Sequence, residues 1–158
     1  MAGKCSRAAK RVFWFATALV SADLMIKFVL VRTLGHDSHL TDFGFVSFRL
    51  AYNTGATFSP VFGLPQPVVV TVLVMLVAGL IVLVSRSAAR WPALSRAGAA
   101  MLLSGGLGNL IDRLNGAGVV DYLHAGWFPA FNLADVFLVA GTLLLLLGTA
   151  HSMIRKER

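Results

Sequence analysis

Four long apolar runs constrain this chain more than any other feature of its sequence. A helix needs roughly 20 apolar residues to cross the hydrocarbon core of a bilayer, with a range of about 17–25. The third run is the weakest and is rich in Gly, Ala and Ser, so we expect one of its ends to lie near a membrane face. The pattern predicts four spans, over about residues 12–31, 68–84, 97–112 and 135–151.

The composition excludes an ordinary soluble domain. Hydrophobic residues make up 57% of the 158 positions and charged residues only 13%, against roughly 25% charged in typical globular chains. A chain of this length cannot bury that much apolar surface within itself. The predicted fold class is therefore a membrane all-α protein with four transmembrane helices and a small β element.

The positive charges indicate the orientation. The net charge is +7, and short basic clusters flank the apolar runs at Lys4–Arg11, Arg86–Arg96 and Arg155–Arg158. Lys and Arg are retained on the cytoplasmic side, which predicts cytoplasmic N- and C-termini and outward-facing loops over 32–67 and 113–134. Because topology accounts for the clusters, we expect no nucleic-acid partner.

The outer loops carry patterns of their own. In FVSFRLAYN, apolar and polar residues alternate up to Asn53, which is typical of a half-buried strand. Thr54-Gly55 predicts a turn, followed by a second extended piece. The later loop holds four aromatic residues of the kind that favour the headgroup level, namely Tyr122, Trp127, Phe128 and Phe131. We expect a small sheet and a short aromatic loop on the outer surface.

One alternative concerns the first run. The stretch ALVSA before Asp23 has small residues at the spacing of a signal-peptide cleavage site. Cleavage there would leave three spans with the same orientation, so the charge pattern does not decide. Apolar residues resume after Lys27 in FVLV, which favours an uncleaved span.

The end of the third run has a polar face. Gly105, Gly108, Asn109 and Asp112 follow the spacing i, i+3, i+4, i+7, which places them on one side of a helix. Glycines let another helix or a substrate approach the backbone closely. Asn109 offers both a donor and an acceptor. We expect this face to receive an extended peptide.

A second carboxylate reaches the same membrane depth. Asn132 is a candidate N-cap for the fourth helix, with Asp135 in its first turn. Two like charges in a partly dry place share a proton, which predicts acid–base hydrolysis by Asp112 and Asp135. Helix dipoles favour Asp135 as base and Asp112 as acid, whereas Arg113 argues the other way. Two aspartates that only cap helices explain the same residues equally well.

Five motifs in order resemble a known family. SADLMIK, YNTGATFS, GGLGNLIDR, VVDYL and FNLADV are similar in sequence and spacing to those of lipoprotein signal peptidase, also called signal peptidase II. The resemblance covers essentially the whole chain. It departs at Leu24, where the family usually has Gln, and at Thr57, where Ala is common.

The resemblance implies a single integral-membrane peptidase domain over residues 1–158, with an outer β-cradle and a short outer helix. Such an enzyme is a bacterial aspartyl protease of the cytoplasmic membrane, with its active site at the outer, periplasmic face. It removes the signal peptide from a prolipoprotein, just before a cysteine that carries diacylglycerol. The implied partners are these substrates and membrane lipids. No metal or cofactor is implied, and we expect a monomer.

The resemblance also implies roles for individual residues. The family's catalytic pair falls on Asp112 and Asp135. Asn132 would support Asp135. The remaining polar matches, Asn53, Asn109 and Arg113, would hold the main chain of the substrate. The glycine face of the third helix, with Gly105 and Gly108, would receive the peptide. The outer loop with Trp127 would close over it.

Other candidates are weaker. Asp23 and Lys27 have the i, i+4 order of an ion pair and, as charges within a span, are expected to give structural support. His36, Asp37 and His39 lack a fourth metal ligand. Ser59 and Ser104 lack a base for a serine mechanism. A transporter that relays protons is a second function class, but a relay needs acids across the whole bilayer and these acids cluster at one end.

Overall fold

Four long helices and a two-stranded sheet make up the described part of the molecule. The structure is a computed structural model and describes residues 6–34, 47–53 and 65–156. The helices are α1 (Arg7–Leu34), α2 (Gln66–Ser87), α3 (Ala93–Leu114) and α4 (Leu133–Lys156). A single 3₁₀ turn, Ala88–Arg90, joins α2 to α3. The strands are β1 (Ser47–Asn53) and β2 (Val119–His124).

The helices extend beyond the predicted spans at both ends. Basic residues such as Arg7 and Arg155 continue the helical hydrogen bonding into the polar flanks. Prolines mark two of the starts, since Pro65 precedes α2 and Pro92 precedes α3. A proline is tolerated there because the first N–H groups of a helix have no intrahelical partner.

The helices differ in how much of their surface meets other protein atoms. By length and composition, α1, α2 and α4 are long and apolar enough to cross a membrane. Helix α3 buries more than half of its residues against its neighbours, whereas α2 buries only Val77 and Val84. The third apolar run is therefore weak because α3 is the central helix and its small residues contact protein.

Helices α3 and α4 pack backbone to backbone. A Cβ added to Gly98 would lie 2.5 Å from the Leu145 nitrogen and 2.6 Å from the Gly141 carbonyl oxygen. A Cβ on Gly141 would lie 2.8 Å from the Gly98 carbonyl oxygen. Small residues at such crossings let helix backbones approach closely. The glycines of the third run thus serve this seam.

The sheet contains one strand that the sequence predicts, β1, and one that it does not, β2. Strand β1 forms where the alternation predicts it, and it pairs antiparallel with β2, with an irregularity between Phe48 and Ala51. The sequence pattern had indicated only a loop at residues 119–124. Among the described residues, the segments 47–53 and 115–132 contain no helix. Thr54-Gly55 and the expected second extended piece lie outside the described residues.

The connections place this sheet at one end of the bundle, here called the sheet end. Strand β1 follows the end of α1, and β2 lies between the end of α3 and the start of α4. Leu123 also bridges to Phe131, just before α4. The sheet end therefore collects the last turn of α3, the first turn of α4 and both strands.

Replacing Gly98 by Ala tests the α3–α4 seam. The added methyl group meets backbone atoms that cannot rotate away, so we expect Gly98→Ala to lower the unfolding free energy by about 1–3 kcal/mol. Gly79→Ala is the matched control, since no described atom lies within 4 Å of its added Cβ. Thermal unfolding in detergent is the measurement. Equal midpoints for the two variants would contradict the seam.

Candidate active site

A cavity of about 620 Å³ opens at the sheet end. Polar side chains from both strands, α3 and α4 line one part of it, at Asn53, Asn109, Arg113, Asp121 and Asp135. Apolar side chains, mostly from α4, line the other part, among them Phe128, Phe131, Val136, Val139 and Leu143. The cavity therefore combines two carboxylates with a largely apolar wall.

The start of α4 holds Asp135 in place. The Asp135 backbone N–H donates to Asn132 Oδ1 at 3.0 Å, and Asp135 Oδ2 accepts from the Asn132 backbone N–H at 3.2 Å. This reciprocal pair is a capping box and confirms Asn132 as the helix cap. Asn109 Nδ2 donates to the other carboxylate oxygen, Asp135 Oδ1, at 2.8 Å.

Asp121 is the second carboxylate of the cavity, and it comes from β2. Asn53 pairs with Val119, so Asn53 and Asp121 lie diagonally on one face of the sheet. Asn53 Nδ2 donates to Asp121 Oδ2 at 3.2 Å, and Asn132 Nδ2 donates to Asp121 Oδ1 at 2.7 Å. The Asp121 residue is only 3% exposed.

The surroundings of Asp121 favour its neutral form. Burial raises the pKa of its carboxyl group to about 6, and the negative charge of Asp135 acts in the same direction. The hydrogen bonds from Asn53 and Asn132 oppose this rise. A carboxyl group that titrates this close to neutrality suits proton transfer.

Asn132 connects the two carboxylates of the cavity. Its side chain is fully buried, and its amide nitrogen donates both to Asp121 and, at 3.2 Å, to Asn109 Oδ1. Its amide oxygen accepts from Asp135. One amide therefore fixes Asp121 and Asp135 relative to each other.

Asp112 lies elsewhere, in a buried ion-pair cluster. Lys27 Nζ is 2.8 Å from Asp112 Oδ2 and 2.8 Å from Asp23 Oδ2. The same Asp112 oxygen accepts from the Val120 backbone N–H at 3.2 Å. The expected Asp23–Lys27 pair is thus confirmed, with Asp112 as an additional member. We call these three residues the Lys27 cluster.

The structure therefore groups Asp135 with Asp121, where the sequence pattern had grouped it with Asp112. The reason is rotation within the last turns of α3. Asn109 and Arg113 face the cavity. Asp112 precedes Arg113 by one residue, about 100° around the helix, and its carboxylate meets Lys27 of α1.

The two expected substrate-binding glycines are also on the packed side. A Cβ on Gly108 would lie 2.7 Å from Asp23 Oδ2, and one on Gly105 would overlap the Ala134 carbonyl oxygen. Helices α1 and α4 already fill the space above both residues. Gly105 and Gly108 thus accommodate the neighbouring helices, and their contact with a peptide stays a prediction.

The other expected contact residues fall into two groups. Asn53, Asn109 and Arg113 line the cavity, although both polar atoms of the Asn109 amide already bind Asn132 and Asp135. Trp127 is 92% exposed, outside the cavity, and packs edge-on against Phe128, which does line it. His36, Asp37, His39 and Ser59 lie outside the described residues.

Asp121 was not among the catalytic residues expected from the sequence, yet the sequence contains a signal for it. In VVDYL the carboxylate stands among apolar residues, and Val119 and Tyr122 beside it are buried. A charge within such a short apolar strand is costly unless it is paired or hydrogen-bonded. That cost is itself an indication of function.

Comparisons with known proteins agree with this architecture. The model of the family described as signal peptidase (SPase) II matches residues 15–151. A lipoprotein signal peptidase of Mycobacterium tuberculosis strain H37Rv is 34% identical over 139 residues, which are 84% of this chain and 67% of that protein. One of Rhodococcus jostii is 34% identical over 145 residues, or 87% and 71%.

Two solved structures share the fold. Both are described as a bacterial membrane enzyme, with TM-scores of 0.75 and 0.79 at 23% and 22% sequence identity. The first comparison covers 87% of this chain and 91% of the other chain, and the second covers 93% and 92%. The likeness shows that this chain has the same fold as those two proteins.

The family match and the apolar helices together indicate a multi-pass membrane peptidase. More specifically, the chain belongs to the signal peptidase II family.

The raised pKa of Asp121 gives a test by pH. The folded protein holds this proton more tightly than the unfolded chain, so the associated stability is complete below about pH 4 and is lost as pH rises through about 6. Asp121→Asn removes this loss. As pH increases from 4 to 6, the unfolding free energy of this variant should rise relative to that of the parent, by on the order of 3 kcal/mol at most. The measurement is thermal unfolding of both proteins from pH 4 to 8, and a flat difference curve would contradict the shift.

Proposed function

We propose that this chain is an aspartic endopeptidase that removes the signal peptide from diacylglyceryl-modified bacterial prolipoproteins. The proposal rests first on membership of the signal peptidase II family and on relatives named lipoprotein signal peptidase. The scissile bond is the one just before the lipidated cysteine. The cavity, with its carboxylates beside an apolar wall, suits a substrate that is part peptide and part lipid.

In this proposal the catalytic pair is Asp121 and Asp135. The observation that carries it is the Asn132 side chain, which hydrogen-bonds Asp121 through its nitrogen and Asp135 through its oxygen. Both carboxylates line the cavity. The motif comparison alone favours Asp112 as a catalytic residue. Its carboxylate instead forms an ion pair with Lys27 and accepts a hydrogen bond from a backbone N–H.

The surroundings suggest a division of roles. Asp135 accepts two N–H groups and lies at the positive end of α4, which suits a carboxylate that takes a proton from water. Asp121 carries the proton that it gives to the leaving nitrogen. The hydroxide adds to the carbonyl carbon and the C–N bond breaks. The lipidated cysteine leaves as a neutral amine with the proton from Asp121, while Asp135 holds the proton taken from water.

Arg113 is the proposed main-chain contact for the substrate. It lines the cavity, and its Nη1 is buried without a hydrogen-bond partner among the described residues. A buried donor without a partner is costly, so a peptide carbonyl that binds it gains interaction energy. Asn53 lies beside Asp121 and reaches the same part of the cavity.

The proposed placement in the membrane follows the charges. Four spans, with α3 as the third, would put both termini in the cytoplasm and the sheet end at the outer face of the bacterial cytoplasmic membrane. The substrate is itself anchored in that membrane. A cavity at this depth meets the scissile bond while the lipid stays in the bilayer. A monomer surrounded by membrane lipid suffices for this geometry.

A cleavage assay with three matched variants tests the pair. Purified protein in detergent is mixed with a diacylglyceryl-modified prolipoprotein, and the size shift on a gel is followed over time. Asp121→Asn and Asp135→Asn should show no cleavage above background, because general acid–base groups contribute about 10²–10⁴-fold each. Asp112→Asn should still cleave, slowed by up to about 100-fold.

Thermal unfolding of the same variants separates chemistry from folding. At pH 7, Asp112→Asn should unfold at a lower temperature than the parent, because Lys27 loses one of its two partners. Asp121→Asn should unfold at the same temperature or higher. Complete loss of cleavage in a fully stable Asp112→Asn, together with an active Asp121→Asn, would return the catalytic role to Asp112.

A further inference from the structure

The carboxylates of the Lys27 cluster also bind backbone N–H groups of α4 and β2. We propose that Lys27 is a positioning residue that sets the backbone of both proposed catalytic carboxylates, acting through Asp23 on one side and Asp112 on the other. This inference rests on the proposed function of Asp121 and Asp135. Besides Lys27, each of the two carboxylates binds a backbone N–H next to a proposed catalytic residue.

Asp23 contacts the residue just before Asp135. Asp23 Oδ1 accepts the Ala134 backbone N–H at 3.2 Å. This N–H belongs to the first turn of α4, where N–H groups lack intrahelical partners. Both Asp23 and Ala134 are fully buried. A carboxylate on α1 thereby fixes the turn that carries Asp135.

Asp112 contacts the residue just before Asp121. Its Oδ2 accepts the Val120 backbone N–H at 3.2 Å, within the strand that carries Asp121. Asp112 is only 6% exposed. A carboxylate at the end of α3 thereby fixes the strand position from which Asp121 enters the cavity.

Lys27 joins these two contacts. Its ammonium nitrogen lies 2.8 Å from an oxygen of each carboxylate, and all three side chains are almost completely buried. Without the cation, two negative charges would face each other out of water, which is strongly unfavourable. The chain also leaves room for this arrangement, since any side chain at Gly108 would collide with Asp23 Oδ2.

The symmetry of these contacts makes the inference specific. Each proposed catalytic residue is preceded by a residue whose N–H is bound by the cluster, Ala134 before Asp135 and Val120 before Asp121. A cluster that only stabilised the bundle would need no contact with either backbone. We therefore expect loss of the Lys27 cluster to displace the two proposed catalytic carboxylates while substrate binding persists.

Hydrogen exchange at two amides tests the contacts without any reference to cleavage. Asp23→Asn should speed exchange of the Ala134 amide at least tenfold, and Asp112→Asn should do the same for Val120. Lys27→Met should speed both. If Lys27→Met does not fold, Lys27→Arg replaces it, with a smaller increase expected at both amides because the cation is kept.

Kinetics then test the positioning role. Asp23→Asn and Asp112→Asn should each lower kcat about 10–100-fold, since a misplacement of about 1 Å costs up to 100-fold, with KM changed less than twofold. Ser104→Ala is the control, because Ser104 is equally buried on α3 and no contact of its hydroxyl with the cluster is seen among the described residues. It should change neither kcat nor the two amides.

The outcomes separate this inference from the proposed catalytic pair. Unchanged exchange at Ala134 and Val120 in folded variants would overturn the positioning role, whichever aspartates catalyse. Faster exchange with an unchanged kcat, or with an effect on KM alone, would also overturn it. An active Asp121→Asn would instead overturn the catalytic pair and leave the backbone contacts standing.

Discussion

The close approach of α3 and α4 is the constraint on which the site depends. Gly98 faces Gly141 and Gly105 faces Ala134 with no room for a side chain between the backbones. At this separation the short side chain of Asn109 on α3 reaches Asp135 on α4. An additional methyl group at Gly98 or Gly105 would collide with backbone atoms of α4. The small residues of α3 therefore support the proposed site as well as the packing.

The four acidic residues among those described are compensated in two different ways. Asp23 and Asp112 are balanced by a cation, Lys27. Asp121 and Asp135 receive N–H groups from asparagines and from the backbone. Removing the cation would leave two buried negative charges without compensation, whereas the carboxylates of the cavity do not depend on a buried cation. The surroundings thus divide the four carboxylates into two that share a buried cation and two that are held by neutral donors.

The sequence predicted the features that arise from local patterns. The apolar runs predicted the long helices, alternation predicted β1, and the spacing of Asn132 and Asp135 predicted the helix cap. The i, i+4 order of Asp23 and Lys27 predicted their ion pair. Each of these depends on contacts between residues a few positions apart, which periodicity and spacing describe directly.

What the sequence did not predict depends on contacts between distant parts of the chain. Periodicity placed Asp112 on a face of α3, but only packing against α1 determines what that face meets. Asp121 receives one of its hydrogen bonds from Asn53, 68 positions away. The register of β1 against β2 brings them together, and no local pattern encodes that register. The motif VVDYL was visible, but its role depends on this pairing.

The apolar wall of the cavity has a consequence for how a reaction here would be measured. It runs on along α4, where Leu138, Val139, Thr142 and Leu143 line a second, shallower depression. A membrane-anchored ligand that followed this path would arrive by lateral diffusion in the plane of the membrane. The concentration that governs its arrival is then its mole fraction in lipid or detergent. Adding empty micelles would slow the reaction without any inhibitor being present.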